Sequence, residues 1–328
     1  MTLPSNPSPP DRASGGSPLR DAGLPRVAFQ GEAGAFSEAA AIQLLGDGIR
    51  TVPCSTFDAA FRSIPDGAAD ALLAPVENSL AGSVVRVFDL LLESNLEIIG
   101  ETILHIEHQL IGCVGATLGG LRSVASHPVA LAQCERFFLS HPELKRLPAE
   151  DTAGSVREVL ARGDRSSAGI AGRRAAEHYG GTILAENIHD NPENFTRFVL
   201  LVPGSASVRL MSEDPTSSTL KMSLALRLAH KPGALLAALE PFARFGVNLL
   251  KIESRPIHGR PWEYQFFLDI ESAEGPVPQG NQEALAKAMS SNRSQLQSAV
   301  AAVRSATTDL RVLGVYPPAR MGTVGSRE

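Results

Sequence analysis

The chain of 328 residues is 43% hydrophobic and 20% charged, which indicates about two folded domains with sizeable cores. A net charge of −5 gives no electrostatic footprint for nucleic acid, and an aromatic content of only 5% argues against base stacking. No apolar run approaches the roughly 20 residues that a membrane-spanning helix needs. We therefore expect a protein that binds neither nucleic acid nor a membrane.

The reactive residues argue against metal and cofactor chemistry. Cys54, Cys113 and Cys134 are far apart and odd in number, which favours a reducing cytoplasm over a disulfide framework. No CxxC or HExxH motif predicts a metal site. Residues 98–114 are predicted to form one long strand, in which a spacing of three puts His105 and His108 on opposite faces. The residues before 220 include a single lysine, in a polar loop, which argues against Schiff-base or pyridoxal chemistry.

Hydrophobic periodicity divides the chain into five segments. Residues 1–25 are rich in proline, serine and glycine and are predicted to be a disordered leader. Residues 26–203 alternate apolar strands with helices, which is typical of two α/β lobes that enclose a small-molecule cleft. After a linker at 204–218, residues 219–318 follow the order βαββαβ of a ferredoxin-like module, and 319–328 form a tail.

Several polar groups lie at strand ends or helix starts in the two lobes. Glu77, Asn78 and Ser79 follow a buried apolar strand, at the edge where open α/β sheets bind ligands, although a capped helix start would also explain them. Ser126 and Gln133 lie near the start of a helix in the second lobe. Together, these polar residues predict a binding site that lies between the two lobes.

A further helix of the second lobe begins near Thr152 and Ser155. Small residues and hydroxyls leave free N–H groups at this terminus, which can hold a carboxylate.

The stretch Asn194–Phe198 joins a polar turn to an apolar strand. Thr196 and Arg197 lie at this edge, where a rigid scaffold can hold a reactive hydroxyl beside a fixed cation. Read alone, the stretch is better explained as a solvated turn than as a reactive site, because most polar residues at loop edges are only hydrated. The other polar loops favour the functional interpretation.

Six motifs occur in a family-like order and spacing: Pro75–Ser79, Ser126–Pro128, Asp151–Ser155, Asn194–Phe198, Lys231–Leu235 and Ile252–Pro256. With these motifs the chain resembles the prephenate dehydratases that carry a C-terminal ACT regulatory domain, over roughly residues 26–318. The resemblance implies a two-lobed periplasmic-binding-protein-like catalytic domain plus a ferredoxin-like ACT domain. It implies the decarboxylating dehydration of prephenate to phenylpyruvate in L-phenylalanine biosynthesis, without a cofactor.

The resemblance also implies roles for individual residues. Thr196 is the hydroxyl beside the departing oxygen, and neighbours must polarise it because threonine is a weak acid. The implied catalytic residues are Thr196, Glu77, Asn78, Ser126 and Gln133. The implied substrate contacts are Ser79, Thr152, Ser155, Arg197 and Phe198. Arg197 could equally support the catalytic Thr196 without touching the substrate itself.

In the ACT-like module, the resemblance implies a phenylalanine site formed by Gly233, Ala234, Leu235, Glu253, Ser254 and Arg255. We therefore expect inhibition by L-phenylalanine and a homodimer or homotetramer. Two alternatives stay open: arogenate dehydratase, which would make phenylalanine directly, and an amino-acid-binding sensor of the same fold without turnover.

Overall fold

The computed structural model describes residues 23–204, 218–257, 259–273 and 282–319. The predicted leader, linker and tail lie almost entirely outside these residues. Within the described ranges no helix is long and apolar enough to cross a membrane.

The first part of the chain forms most of lobe 1. Its elements are β1 (Arg26–Gln30), α1 (Phe36–Leu45), β2 (Arg50–Cys54), α2 (Phe57–Arg62), β3 (Ala71–Asn78), β4 (Gly82–Ser83), α3 (Val85–Glu93) and β5 (Leu96–His105). Strand β1 pairs in parallel with both β2 and β3, and the short strand β4 folds back on the end of β3. The connection after β3 is therefore a hairpin, and it carries the predicted Glu77–Ser79 loop.

Lobe 2 is built on a separate sheet of five strands. Its elements are β6 (Gln109–Gly112), β7 (Ser123–Ser126), α4 (Pro128–Ala132), α5 (Glu135–Ser140), β8 (Lys145–Pro148), α6 (Thr152–Arg162), β9 (Ser167–Ala171), α7 (Arg173–Tyr179) and β10 (Thr182–Ala185). The strand order is β10-β6-β9-β7-β8. The predicted two α/β lobes are confirmed.

The chain returns to lobe 1 through β11 (Phe195–Pro203), which lies antiparallel between β3 and β5. Leu72 and Leu73 of β3, and Leu200 and Leu201 of β11, are at most 1% exposed. One face of these strands packs on α1 and the other on α2 and α3. Because both faces are covered, the two strands read as continuous apolar runs and not as alternating ones.

The C-terminal module has the predicted order βαββαβ. Its elements are β12 (Lys221–Arg227), α8 (Ala234–Arg244), β13 (Asn248–Ile257), β14 (Arg260–Glu271), α9 (Gln282–Val303) and β15 (Asp309–Tyr316). Its strands are ordered β13-β14-β12-β15, and β15 pairs in parallel with β5 of lobe 1 at Gly314 and Ile98. The module therefore continues the sheet of lobe 1 and lies against the predicted catalytic region.

The predicted long strand across residues 98–114 is wrong in one respect. It breaks at residues 106–108, so that β5 belongs to lobe 1 and β6 to lobe 2. His105 and His108 consequently do not share a strand. Both rings instead lie near His189, with centroids 6.2 and 6.3 Å away.

Candidate active site

The strand pair β3–β11 brings two of the predicted catalytic residues together. Thr196 lies opposite Asn78 in the ladder, and Asn78 Nδ2 donates a hydrogen bond to Thr196 Oγ1 at 2.9 Å. Since Thr196 Oγ1 is an acceptor in this bond, its own O–H remains available to donate to another oxygen. A hydroxyl that accepts one hydrogen bond also becomes a better donor.

The orientation of the Asn78 amide is fixed by the hairpin. Its Oδ1 accepts from the backbone N–H groups of Leu80 and Ala81, at 3.0 and 2.8 Å. This turn is the local reason why asparagine suits the first position of the loop. The Nδ2 group must therefore face β11, where it also donates to Asn194 Oδ1 at 2.8 Å.

Ser79 ties the hairpin to the turn before β11. Its hydroxyl donates to the carbonyl of Glu193 at 2.8 Å and accepts from the backbone N–H of Phe195 at 2.9 Å. Both bonds hold the Asn194–Thr196 segment in register with Asn78. Ser79 therefore positions the site from its edge.

Gln133 extends the site into lobe 2. Its Oε1 accepts from Asn194 Nδ2 at 3.1 Å and lies 2.8 Å from His108 Nε2. Gln133 ends α4, and Asn194 is fully buried between the two lobes. The structure thus joins Thr196, Asn78 and Gln133 in one network of neutral polar groups.

The two lobes also contact each other away from this network. Glu38 of α1 accepts from Arg174 of α7 at 2.8 Å. Phe36 packs edge-on against His108, and a Cβ added at Gly172 would lie 2.8 Å from the Phe36 ring. Because Gly172 has no side chain, the Phe36 ring of lobe 1 can pack against it, and the two lobes are in contact around the network.

The second-lobe hydroxyls have structural partners. Ser126 is fully buried and donates to the carbonyl of Ile170 at 2.7 Å. Ser155 donates to the carbonyl of Thr152 at 2.6 Å. The predicted carboxylate cradle at α6 already holds a carboxylate, because Asp151 caps the helix and accepts from Gly154 N–H at 2.6 Å. Within the described part of the chain, no hydrogen bond joins the side chains of Ser126, Thr152 and Ser155 to the Thr196 network.

Three predicted site residues lie elsewhere. Arg197 pairs with Glu77 in the ladder, one position from Thr196 and Asn78, and side chains of successive strand residues point to opposite faces. Phe198 is 2% exposed and packs in the core with α1. The structure does not bring Arg197, Glu77 or Phe198 to the Thr196 hydroxyl.

Arg197 instead forms the centre of a buried ionic cluster at the C-terminal module. It donates to Glu101 at 2.7 Å, to Asp269 at 2.5 Å and to the Tyr316 hydroxyl at 2.9 Å. Burial disfavours its charge, but Asp269, Tyr316 and Glu101 outweigh this effect and raise its pKa. For Asp269 burial likewise acts to raise the pKa, but Arg197 outweighs it and the pKa is lowered. Arg197 is thus a charged residue whose side chain links lobe 1 to the C-terminal module.

Strand β13 of the C-terminal module contacts the β3–β4 hairpin on the side where Arg197 meets this module. Lys251 Nζ lies 3.0 Å from Glu77 Oε2 and donates to Ser83 at 3.0 Å. Ser83 also hydrogen-bonds to Glu253, and Arg255 lies 3.3 Å from Asp89 of α3. A cavity lies between lobe 1 and the C-terminal module. Residues of both line it, among them Phe88, Arg197, Lys251, Phe267 and Asp269.

Three of the other predicted effector residues lie at the start of α8, whereas Ser254 is an exposed residue of β13, between Glu253 and Arg255. Gly233 has a positive φ of 78° and forms the N-cap of this helix. Ala234 is buried, whereas Leu235 is exposed. The structure therefore gives Glu253 and Arg255 contacts to the catalytic region, whereas Gly233, Ala234 and Leu235 lie at the helix start.

Sequence reasoning missed the contributions of Asn194, His108 and Lys251. Asn194 stood inside a recognised motif, so its polarity directly before a buried strand was a usable signal. No glycine or proline marks the break at residues 106–108, so nothing predicted that His108 would turn towards Gln133. Among the residues that the structure describes, no group of three His, Cys, Asp or Glu side chains is arranged to hold a metal ion.

Comparison with known proteins identifies the family. The prephenate dehydratase model matches residues 27–205, and the ACT domain model matches residues 222–278. The chain belongs to the prephenate dehydratase family. Its C-terminal module is an ACT domain.

The relatives of this chain include plant and bacterial proteins. It is 36% identical over 306 residues to "Arogenate dehydratase/prephenate dehydratase 2, chloroplastic" of Arabidopsis thaliana, covering 89% of this chain and 72% of that protein. The structure of a prephenate dehydratase from Arthrobacter aurescens in complex with L-Phe has a TM-score of 0.73 and 30% identity, over 90% of each chain. A structure titled "GqqA- a novel type of quorum quenching acylases" has a TM-score of 0.72 and 33% identity, over 90% of this chain and 98% of that one.

Proposed function

We propose that this protein converts prephenate to phenylpyruvate with loss of carbon dioxide and water. The observation that carries this proposal is the hydrogen bond from Asn78 Nδ2 to Thr196 Oγ1 at the boundary between the lobes. It leaves the Thr196 proton free to donate to a departing oxygen. Because the ring becomes aromatic, the reaction needs no electron sink.

The steps follow from the polarity of the network. The ring carboxylate leaves as carbon dioxide, and the electrons of its C–C bond form the new ring double bond as the C–O bond breaks. The Thr196 hydroxyl stabilises the departing hydroxide by hydrogen bonding. One proton taken up from the solvent converts this hydroxide to water, so that prephenate and one proton give phenylpyruvate, carbon dioxide and water. Groups that stabilise developing charge in this way contribute about 10²- to 10³-fold in rate.

Neutral amides around Thr196 suit this chemistry. A cation bound tightly to the ring carboxylate would stabilise the ground state and would not raise the rate. Arg197 is held away from the network by Glu101 and Asp269. We propose that Asn78 polarises Thr196, that Gln133 contacts the substrate, and that Ser79 keeps the loop in register. Ser126, Thr152 and Ser155 form their hydrogen bonds within lobe 2, so the role that we propose for them is to keep that lobe in shape.

Acyl transfer is the chemistry named for one structural relative, GqqA. A hydroxyl nucleophile needs a base that removes its proton. Thr196 Oγ1 accepts from an amide, and no histidine, lysine or carboxylate within the described residues hydrogen-bonds to it. The geometry therefore favours a hydrogen-bond donor over a nucleophile.

Arogenate is the second candidate substrate, because a plant relative carries both activities in its name. The test is to incubate the purified protein near neutral pH with prephenate and, separately, with arogenate, and to identify the products by chromatography. Phenylpyruvate from prephenate supports the proposal, and phenylalanine from arogenate alone supports the second candidate. Absence of product from both, with L-phenylalanine still bound, would point to a sensor and overturn the proposal.

We further propose that L-phenylalanine inhibits the enzyme through the ACT domain. Glu253 and Arg255, two of the expected effector residues, contact Ser83 and Asp89 of the catalytic domain. An effector that moves β13 would therefore act on the Glu77–Ser83 hairpin. Inhibition is tested by assaying turnover at millimolar L-phenylalanine, and an unchanged rate together with unchanged thermal stability would refute it.

We also propose a cytoplasmic homodimer or homotetramer. Strand β13 is the edge of the large sheet and leaves Leu250 and Ile252 exposed at 44% and 43%. Unpaired edges of this kind are suited to pairing with a second copy. Sedimentation velocity should give the mass of two or four chains, and a monomer at micromolar concentration would contradict the proposal.

A further inference from the structure

His108 is a buried imidazole in the short crossover between β5 and β6. Its side chain lies at the lobe boundary, is 2% exposed and packs edge-on against Phe36. Its Nδ1 atom is buried and has no hydrogen-bond partner in the described part of the chain. Its Nε2 atom lies 2.8 Å from Gln133 Oε1. Burying a ring nitrogen without a hydrogen-bond partner costs free energy, and the contact of Nε2 with Gln133 is the one hydrogen bond given for this ring in the described part of the chain.

The direction of this hydrogen bond is fixed by a chain of amides. Backbone N–H groups point at Asn78 Oδ1, so Asn78 Nδ2 must donate to Asn194 Oδ1. Asn194 Nδ2 must then donate to Gln133 Oε1. With Gln133 Oε1 established as an acceptor, His108 has to donate from Nε2.

This polarity determines where the Gln133 amide group points. A flipped Gln133 would place its Nε2 against two donors, Asn194 Nδ2 and His108 Nε2–H. Gln133 Nε2 forms no hydrogen bond in the part of the chain that the structure describes, and Gln133 is only half-buried. Both of its N–H groups are therefore free to donate to a substrate oxygen.

The environment of His108 keeps the ring in this tautomer. Burial lowers the pKa of His108, the bond to Gln133 acts in the opposite direction, and the neighbouring His189 adds to the lowering. The backbone N–H of His108 also donates to His189 Nδ1 at 3.3 Å. A second proton would put an unpartnered N–H at the buried Nδ1, so the ring remains neutral with its one proton on Nε2.

We propose that His108 is a positioning residue for the dehydratase reaction: by donating from Nε2 to Gln133 Oε1, it locks the Gln133 amide with its N–H groups towards the substrate. This inference rests on the proposed function and adds a residue that acts through Gln133. The chemistry that Gln133 would recognise is an anionic oxygen, as in a carboxylate.

The test compares three substitutions at His108 with Gln133→Ala. In His108→Gln the new amide can place a donor where Nε2 lay, whereas His108→Asn places its amide at the Nδ1 position and His108→Leu has no donor. We expect His108→Gln to retain most of the wild-type kcat/KM for prephenate. His108→Asn and His108→Leu should lower it by about 10²-fold, the scale of a misplaced catalytic contact.

A double-mutant comparison separates positioning from general damage. In the Gln133→Ala background, His108→Asn should change kcat/KM by no more than about twofold, because its only route to the substrate has been removed. Equal losses in both backgrounds, or full activity of folded His108→Asn, would overturn the proposal. If the wild type turns over neither prephenate nor arogenate, the proposed function fails with it.

The tautomer gives a readout that needs no activity. Nitrogen-15 NMR of histidine-labelled wild type should show His108 as a neutral ring protonated at Nε2 at pH 7. A ring protonated at Nδ1, or at both nitrogens, would contradict the hydrogen-bond polarity even in an enzyme that dehydrates prephenate.

Discussion

The two faces of the β3–β11 strand pair differ in the chemistry that they carry. On one face Asn78 and Thr196 form a neutral network that continues into lobe 2. On the other face Glu77 and Arg197 form ionic contacts with the ACT domain. Neighbouring residues are separated in this way because successive side chains of a strand point to opposite sides. A change on the face that contacts the ACT domain therefore lies one residue away from the hydroxyl that we propose to take part in the reaction.

Replacing Thr196 should have the largest effect, confined to the neutral face. Thr196→Val keeps the shape but removes the hydroxyl, so kcat/KM for prephenate should fall by about 10²- to 10³-fold. The thermal unfolding midpoint should change little, because the side chain is at the site edge. Thr196→Ser is the matched control and should retain most of the activity, since it keeps the hydroxyl. A fully active Thr196→Val enzyme would remove the proposed mechanism.

Replacing Arg197 should break the other face. Arg197→Met removes the cation that compensates Glu101 and Asp269, and loss of one partner of a buried ion pair costs about 3–5 kcal/mol. Denaturant unfolding should show this loss of stability, whereas turnover of the folded variant should fall far less than in Thr196→Val. Arg197→Lys, which keeps the charge but not the planar fork, should be intermediate. Wild-type stability of Arg197→Met would contradict the buried cluster.

Lys251 tests whether the two faces communicate. Lys251→Met removes the contacts to Glu77 and Ser83 while leaving the neutral network intact. We expect basal turnover to be nearly unchanged and inhibition by L-phenylalanine to weaken by about 5- to 150-fold, the usual range of allosteric coupling. Calorimetric binding of L-phenylalanine should persist, and Lys251→Arg should keep the inhibition. Unaltered inhibition in Lys251→Met would exclude this contact from the coupling.

The pH dependence of stability should separate the two faces by their titrating groups. Burial lowers the pKa of His108, so the unfolded chain takes up a proton below about pH 6.5 that the folded chain refuses, and stability falls. His108→Gln should lose less stability in this range.

The lowered pKa of Asp269 contributes stability above about pH 3.9 that is lost as the pH falls further. Arg197→Met should lack that part of the acid loss, and identical profiles for all three proteins would contradict these assignments.

Much of the fold could be predicted because its signals are local. The alternation of strands and helices predicts the two lobes, and the order βαββαβ predicts the ferredoxin-like module. The positions of Asn78 and Thr196 also followed from sequence, since each lies where an apolar strand meets a polar turn. Their pairing across 118 positions did not, because strand register depends on packing of the whole sheet.

The sequence interpretation erred where a side chain's direction mattered. Arg197 follows the proposed catalytic Thr196, yet the strand directs its side chain to Asp269, 72 positions later, in another domain. Asp151 in the predicted carboxylate cradle caps its own helix. The sequence predicts His108 in a strand because no residue type marks the break that turns its side chain towards Gln133. Such errors arise from tertiary contacts that no local pattern contains.

The separation of the two faces is tested most directly by measuring kcat for prephenate and the free energy of unfolding in Thr196→Val and Arg197→Met side by side. The account predicts a crossed result: Thr196→Val loses turnover and keeps stability, whereas Arg197→Met loses stability and keeps most of its turnover while folded. If both variants lose the same quantity, the two faces of β3–β11 do not have separate roles.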